Sequence, residues 1–218
     1  MLIIMMVSCK KEKSVKNNCT SVTPTGNLVV LSPDEYSFKT SGGAIISISL
    51  IKGIQIKHEA YSNLKLELWG ETEVNGKTRN SANHETLNGK HIKDRIGTRR
   101  TIIFPDGAKI TMVTESKYGP LLSVTIIDGA EVHRINANCS MVEQSEINQG
   151  LAKQIDDAEP DGETGTIEIT ATGLLFVNTY TEETPGKKLL ERIVLGELFL
   201  NNLNHVKDYY DDPNLGHT

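Results

Sequence analysis

The sequence predicts a mainly β protein: an antiparallel sheet, folded as a sandwich or open barrel, with a C-terminal helix. Three observations carry that expectation. Between residues 28 and 138, short apolar runs alternate with polar residues at a period of two, as half-buried strands do. Turn signals separate those runs at steady intervals, which argues against βαβ units and so against a dinucleotide-binding sheet. Toward the C-terminus the apolar spacing changes to that of an amphipathic helix.

Leu28 to Leu31 forms a short apolar run closed by Ser32-Pro33-Asp34. After Gly42-Gly43, Ile46, Ile48 and Leu50 alternate with Ser47 and Ser49, and Leu64, Leu66 and Leu68 alternate with Lys65 and Glu67. Each pattern gives a strand one apolar and one polar face. Two hairpins have specific turn chemistry. Arg100 to Phe104 and Ala108 to Val113 flank Pro105-Asp106-Gly107, and Leu121 to Ile127 and Ala130 to Ile135 flank Asp128-Gly129. Proline presets φ, and glycine takes the left-handed position. Val74-Asn75-Gly76-Lys77 and Leu87-Asn88-Gly89-Lys90 form a near repeat, which reads as two ordinary turns, with a polar loop from Thr78 to His84.

Beyond Cys139 the texture changes. Met141 to Asp157 is compatible with a helix on Ile147, Leu151 and Ile155. Thr166 to Thr170 and Leu174 to Tyr180 read as strands, and Lys187 to Tyr210 carries the best helical stripe, with Pro213 beyond its end. Residues 28–215 are expected as a single β-rich domain whose part from about 141 is more acidic and of α+β character.

Charge divides the same way. Residues 1–140 hold 18 Lys and Arg against 13 Asp and Glu, and residues 141–218 hold 5 against 15. The plain expectation is that the acidic part lies against the basic one. Nucleic acid is disfavoured as a partner. No dense basic stripe is present, and aromatics make up only 5% of the 218 residues, too few for a base-stacking platform.

The chain opens Met1-Leu2-Ile3-Ile4-Met5-Met6-Val7-Ser8-Cys9 and turns at once to Lys10-Lys11-Glu12-Lys13. That run is too short to span a bilayer, which takes ~20 residues, but it suits the apolar core of a signal peptide. Met6, Val7, Ser8 and Cys9 occupy the four positions of a lipobox, so the segment resembles the leader of bacterial lipoproteins. Met6 stands where leucine is usual, and no basic residue precedes the run. The resemblance implies a signal peptide over 1–8, cleavage before Cys9 and a diacylglyceryl group on its sulfur. It further implies a lipid-anchored place in the bacterial cell envelope, with the membrane face left open. Residues 9–27 then read as the lipidated cysteine and a flexible polar tether. Cys19 and Cys139 remain available to pair in an oxidising compartment, or to stay as two thiols.

Asp157-Ala158-Glu159-Pro160-Asp161-Gly162, followed by Glu168, resembles the EF-hand calcium loop in its alternate oxygens, its turn glycine and its closing glutamate. The ligands would be Asp157, Glu159, Asp161, the Glu163 carbonyl and Glu168. Glu159, Pro160 and Thr164 depart from the pattern, and a solvated acidic connector is the plainer reading. His84, Glu85, His91 and Asp94 contain zinc-ligand residue types without a standard spacing, and read as a polar hairpin face. His58 and His133 read as surface residues. No nucleophile elbow, Walker loop or dinucleotide fingerprint is present, and no catalytic residue is assigned.

The function expected is a membrane-anchored, non-enzymatic binding or envelope-structural domain with a protein partner in the envelope. The alternative is an extracytoplasmic calcium- or small-ligand-binding protein using the 157–168 loop. A hydrolase with a site spread over loops stands third.

Overall fold

A computed structural model of the chain describes residues 19–59, 61–68, 71–74, 77–80, 84–94, 97–116, 120–170, 173–180 and 189–195. Cys9 and the leader lie outside them. In chain order the first strands are β1 (Leu28–Ser32), β2 (Glu35–Lys39), β3 (Ala44–Ser49), β4 (Gly53–His58), β5 (Tyr61–Leu68), β6 (Glu71–Val74), β7 (Lys77–Asn80), β8 (His84–Leu87) and β9 (Lys90–Asp94). They build a seven-stranded antiparallel sheet in the order β1-β2-β3-β4-β5-β8-β9, with β6 and β7 as a separate hairpin. There follow β10 (Arg99–Ile103), β11 (Lys109–Thr114), β12 (Leu121–Asp128), β13 (Glu131–Asn136), β14 (Met141–Ile147), α1 (Gln149–Ala158), β15 (Glu163–Thr170), β16 (Gly173–Tyr180) and β17 (Leu189–Leu195). These strands form an eight-stranded sheet, β14-β13-β12-β11-β10-β15-β16-β17.

The chain is therefore mainly β. One buried cluster joins the sheets, with Phe38, Ile46, Ile56 and Leu66 from the first meeting Ile102, Ile110, Val124 and Ile135 from the second. The period-two alternation fixes this arrangement, because it directs one face of each strand inward.

Both hairpins with specific turn chemistry form. Ile103 pairs with Lys109, and Asp128 with Glu131. In the second, the loop residues are Gly129-Ala130 rather than Asp128-Gly129. Gly129 has φ 58° and Ala130 is not left-handed, so the turn has the II′ rather than the I′ pattern. Asp128 is instead the last paired residue, and its carboxylate accepts from Ser41 N (2.6 Å) and Ser41 Oγ (2.8 Å). The Asn88-Gly89 turn joins β8 to β9, and Val74 pairs with Lys77, so the near repeat is two hairpins. Residues 78–80 of the expected polar loop belong to β7 (Lys77–Asn80).

Three expectations need correction. Met141–Ile147 is a strand paired with β13, and the helix begins only after Asn148, whose side chain caps Leu151 N at 3.1 Å. The apolar four-residue spacing runs across that boundary, and Ile147 is 61% exposed. Of the helix expected over 187–210, residues 189–195 form β17 against β16, where cross-strand pairing overrides a short helical stripe; residues 196–210 lie outside the described residues. Finally, residues 19–27, expected within the tether, are fastened to the domain. A disulfide joins Cys19 to Cys139 with Cα atoms 6.2 Å apart. Val22 N donates to Val142 O at 2.9 Å and Thr25 N to Ser145 Oγ at 2.7 Å.

The sandwich has two distinct ends. At one, Ser140 Oγ donates to Asp34 Oδ1 (2.6 Å), beside the disulfide, and Leu50 N donates to Asp34 O (2.9 Å). At the other, Ser41 meets Asp128, and Gly42 N donates to Asp106 Oδ2 at 2.6 Å. The strap of residues 19–27 enters at the disulfide end and reaches the other, where Asn27 N donates to Glu131 Oε2 at 2.9 Å.

Candidate functional site

The outer face of the first sheet carries a row of polar residues in register: Ser37 opposite Ser47, Ser47 opposite Gln55, Gln55 opposite Glu67, and Glu67 opposite Thr86. The same alternation that buries Ile46, Ile48, Ile54 and Leu66 turns these side chains away from the core. A cavity of about 470 Å³ opens there, with Glu35, Ser47, Lys52, Gln55, Glu67, His84 and Thr86 in its wall. Its place on the sheet is toward the disulfide end, since it takes the starts of β2, β4 and β8 and the ends of β3 and β5.

Glu67 is the hub of that wall. Gln55 Nε2 donates to Oε1 and Thr86 Oγ1 to Oε2, both at 3.1 Å, and Lys65 Nζ lies 2.8 Å from Oε1. Burial works upward on its carboxyl, but the hydrogen bonds from Lys65, Thr86 and Gln55, with the Lys65 charge, bring it below the ordinary carboxylate value. Glu67 is thus an ionised acceptor held in one orientation, with hydroxyl, amide and ammonium donors around it. Such an arrangement is able to orient a small polar molecule through directed hydrogen bonds.

A second polar cluster lies between the sheets. His133, expected at the surface, is fully buried and packs on Phe38 with ring centroids 5.3 Å apart. Its Nδ1 is 2.9 Å from Ser145 Oγ, and its Nε2 is 3.1 Å from Glu131 Oε2. Burial lowers the imidazole pKa against the opposing pull of Glu131 and Asp128, so the ring is neutral at pH 7. A carboxylate can only accept, so Nε2 carries the proton and Nδ1 accepts from the Ser145 hydroxyl. Serine, imidazole and carboxylate are connected as in a hydrolase triad. Yet Ser145 is itself buried, and its oxygen already accepts Thr25 N–H, with Thr25 Oγ1 3.1 Å away. The Ser145 hydroxyl is thus engaged by the strap, which the cluster fastens to β14.

The acidic loop is organised around cations. Asp157, on α1, accepts from Lys153 Nζ at 2.9 Å. Glu159 caps the helix C-terminus and pairs with Arg134, with Arg99 at 3.7 Å. Lys109 Nζ lies between Asp156 and Asp161, 2.8 Å from the latter; burial works against the charge on this amine, but the two carboxylates raise its pKa. Glu163 is buried and accepts from Gly97 N, while Glu168 is exposed on β15. The acidic segment does lie against the basic strands. Gly162 has φ 66°, and a Cβ there would come 2.7 Å from Arg99 O, so close approach to β10 as well as the turn requires glycine. Asp157, Glu159, Asp161, Glu163 and Glu168 are not gathered around one point, and no metal-ligating group of three or more His, Cys, Asp or Glu occurs among the described residues.

In the histidine-containing hairpin, Glu85 is buried and bonded to Arg100, and His84 reaches the cavity. His84 faces Asp94 in register and Thr86 faces His91. Cys139 is engaged in the disulfide and so closed to a nucleophilic role. Among the described residues no helix is long and apolar enough to cross a membrane.

Sequence reasoning found the outward faces of Ser47, Ser49 and Glu67 but not the cavity they share. The missing signal is the register that sets β8 beside β5 across an intervening hairpin. Comparison with protein-family models, curated proteins and solved structures gives no match.

Proposed function

We propose that this chain is an envelope lipoprotein, anchored through Cys9, whose β sandwich is a non-enzymatic binding domain taking a small polar ligand in the cavity around Glu67. The observation that carries the binding role is the Glu67 constellation. An oriented carboxylate, with Gln55 and Thr86 as donors, Lys65 beside it and His84 in the wall, lies in a recess of about 470 Å³, within the size range of small-molecule sites. The Cys19–Cys139 disulfide supports an oxidising, extracytoplasmic setting, and the apolar run before Cys9 supports the anchor. A partner protein would meet the same exposed sheet face or the β1 edge.

Two measurements test this reading. Mass spectrometry of the mature protein should find a diacylated Cys9 as residue one; an intact Met1 in membrane extracts overturns the anchor. Thermal-shift screening of full-length protein against amino acids, sugars and small phosphate esters should find a ligand whose effect disappears in Glu67→Ala. A ligand whose shift survives both Glu67→Ala and Gln55→Ala removes the cavity from consideration.

A further inference from the structure

Resting on the reading of Cys9 as the lipidated residue, we propose that the sandwich stands end-on to the lipid surface and meets it through Leu31, Ile51 and Lys52. The geometry begins at Cys19. Its disulfide to Cys139 fixes the strap at one end of the sandwich. Nine residues, 10–18, separate it from Cys9, a span of at most about 35 Å even when fully extended. The tether thus leaves the domain from the disulfide end and is long enough to bring that end onto the lipid surface.

That end also presents the aliphatic side chains that a lipid surface would take. Leu31 is 63% exposed and Ile51 is 53% exposed. Asp34 ties both turns to the staple: its carbonyl accepts from Leu50 N, next to Ile51, and its carboxylate from Ser140 Oγ, next to Cys139. Lys52 is exposed beside Ile51. The opposite end carries polar turns with Ser41, Gly42, Asp106 and Asn88; its exposed apolar residue is Ile147, while Val29 and Val30 are exposed along β1 between the two ends. Aliphatic tips flanked by an amine fit the boundary between acyl chains and headgroup phosphates. Lys10, Lys11, Lys13 and Lys16 on the connecting segment add attraction to anionic headgroups. Glu35, at the same end, opposes it, so the aliphatic contact is the part to test. Leu31 and Lys52 also line the Glu67 cavity, so its ligand would enter from the lipid side.

The test uses full-length protein carrying its native modification, reconstituted in phosphatidylethanolamine–phosphatidylglycerol vesicles with brominated acyl chains. Ile51→Trp and Leu31→Trp should each be quenched at least about threefold more than Lys57→Trp, which reports the outer face near the far end, as an interfacial depth requires; Trp69 is a background common to all three. Equal quenching at the three positions, in protein whose Cys9 is shown by mass spectrometry to be acylated, overturns the end-on placement and leaves the anchor standing. An unmodified Cys9 overturns the anchor and this proposal with it. A dimer in sedimentation experiments that Leu31→Asp dissolves would assign the exposed β1 residues to a second copy of the chain instead, and overturns the proposal.

Discussion

Glu85 of the first sheet and Arg100 of the second face each other in the interior, both fully buried, with Nε–Oε1 at 2.7 Å and Nη2–Oε2 at 2.8 Å. This two-pronged pair is a directional bond between the sheets near the disulfide end, in contrast to the non-directional contacts of the apolar cluster. It also occupies both oxygens of the Glu85 carboxylate, one of the zinc-ligand residue types noted in the sequence.

Removing one partner leaves a buried charge without its counter-ion. Arg100→Leu is expected to lower stability in urea unfolding by about 3–5 kcal/mol, whereas the double variant Glu85→Leu, Arg100→Leu should recover most of that loss. A double variant no more stable than the single one would show that the pair contributes through shape rather than charge.

His133 predicts the pH dependence. Its folded pKa lies below the ordinary value of 6.5 because burial disfavours the imidazolium, so between those two values the unfolded chain binds more protons than the folded one. Stability is therefore full above about pH 6.5 and declines as pH falls toward the depressed folded value. Denaturation midpoints between pH 8 and pH 5 should follow that slope, and His133→Gln should flatten it. An unchanged slope in the variant would assign it to the carboxylates.

The disulfide closes a separation of 120 residues. In the chain-entropy account a loop of that size contributes about 5 kcal/mol through the unfolded state. Reduction should lower the urea midpoint and release the strap first, seen as increased hydrogen exchange at Val22 and Thr25 before the strand amides. Uniform exchange across the domain on reduction would mean that strap and core unfold together.

Calcium at low millimolar concentration is expected to leave the melting temperature unchanged. Asp157, Glu159 and Asp161 each already hold a lysine or arginine, and an ion would have to displace those cations. A calcium-dependent rise in melting temperature that Asp161→Ala abolishes would restore the loop as a metal site.

Legibility in the sequence followed the range over which each feature is determined. The Asp128-Gly129 and Asn88-Gly89 turns are set by two residues and are readable, although the first forms one position later, with Asp128 paired to Glu131 and bonded to Ser41. The boundary at Asn148 had a local capping signal, hidden under an apolar spacing that ran through it. The Glu67 wall and the His133 cluster were not readable. Glu67 meets Thr86 across 19 residues and Ser145 meets Thr25 across 120, and nothing local to either member encodes such a pairing. His133 reads as a surface residue because a polar side chain between Val132 and Arg134 gives no hint that its distant partners are also polar.

The parallel pairing of β10 with β15 dictates the order in which the molecule can assemble. Strands β10 to β14 are joined by short antiparallel connections and can form as each emerges. The outer side of β10, however, has its partner only once α1 and the residues after Gly162 have been delivered. A chain delivered from its N-terminus thus carries an open strand edge for the interval covering residues 104 to 162. Such an edge invites pairing with other chains until β15 closes it.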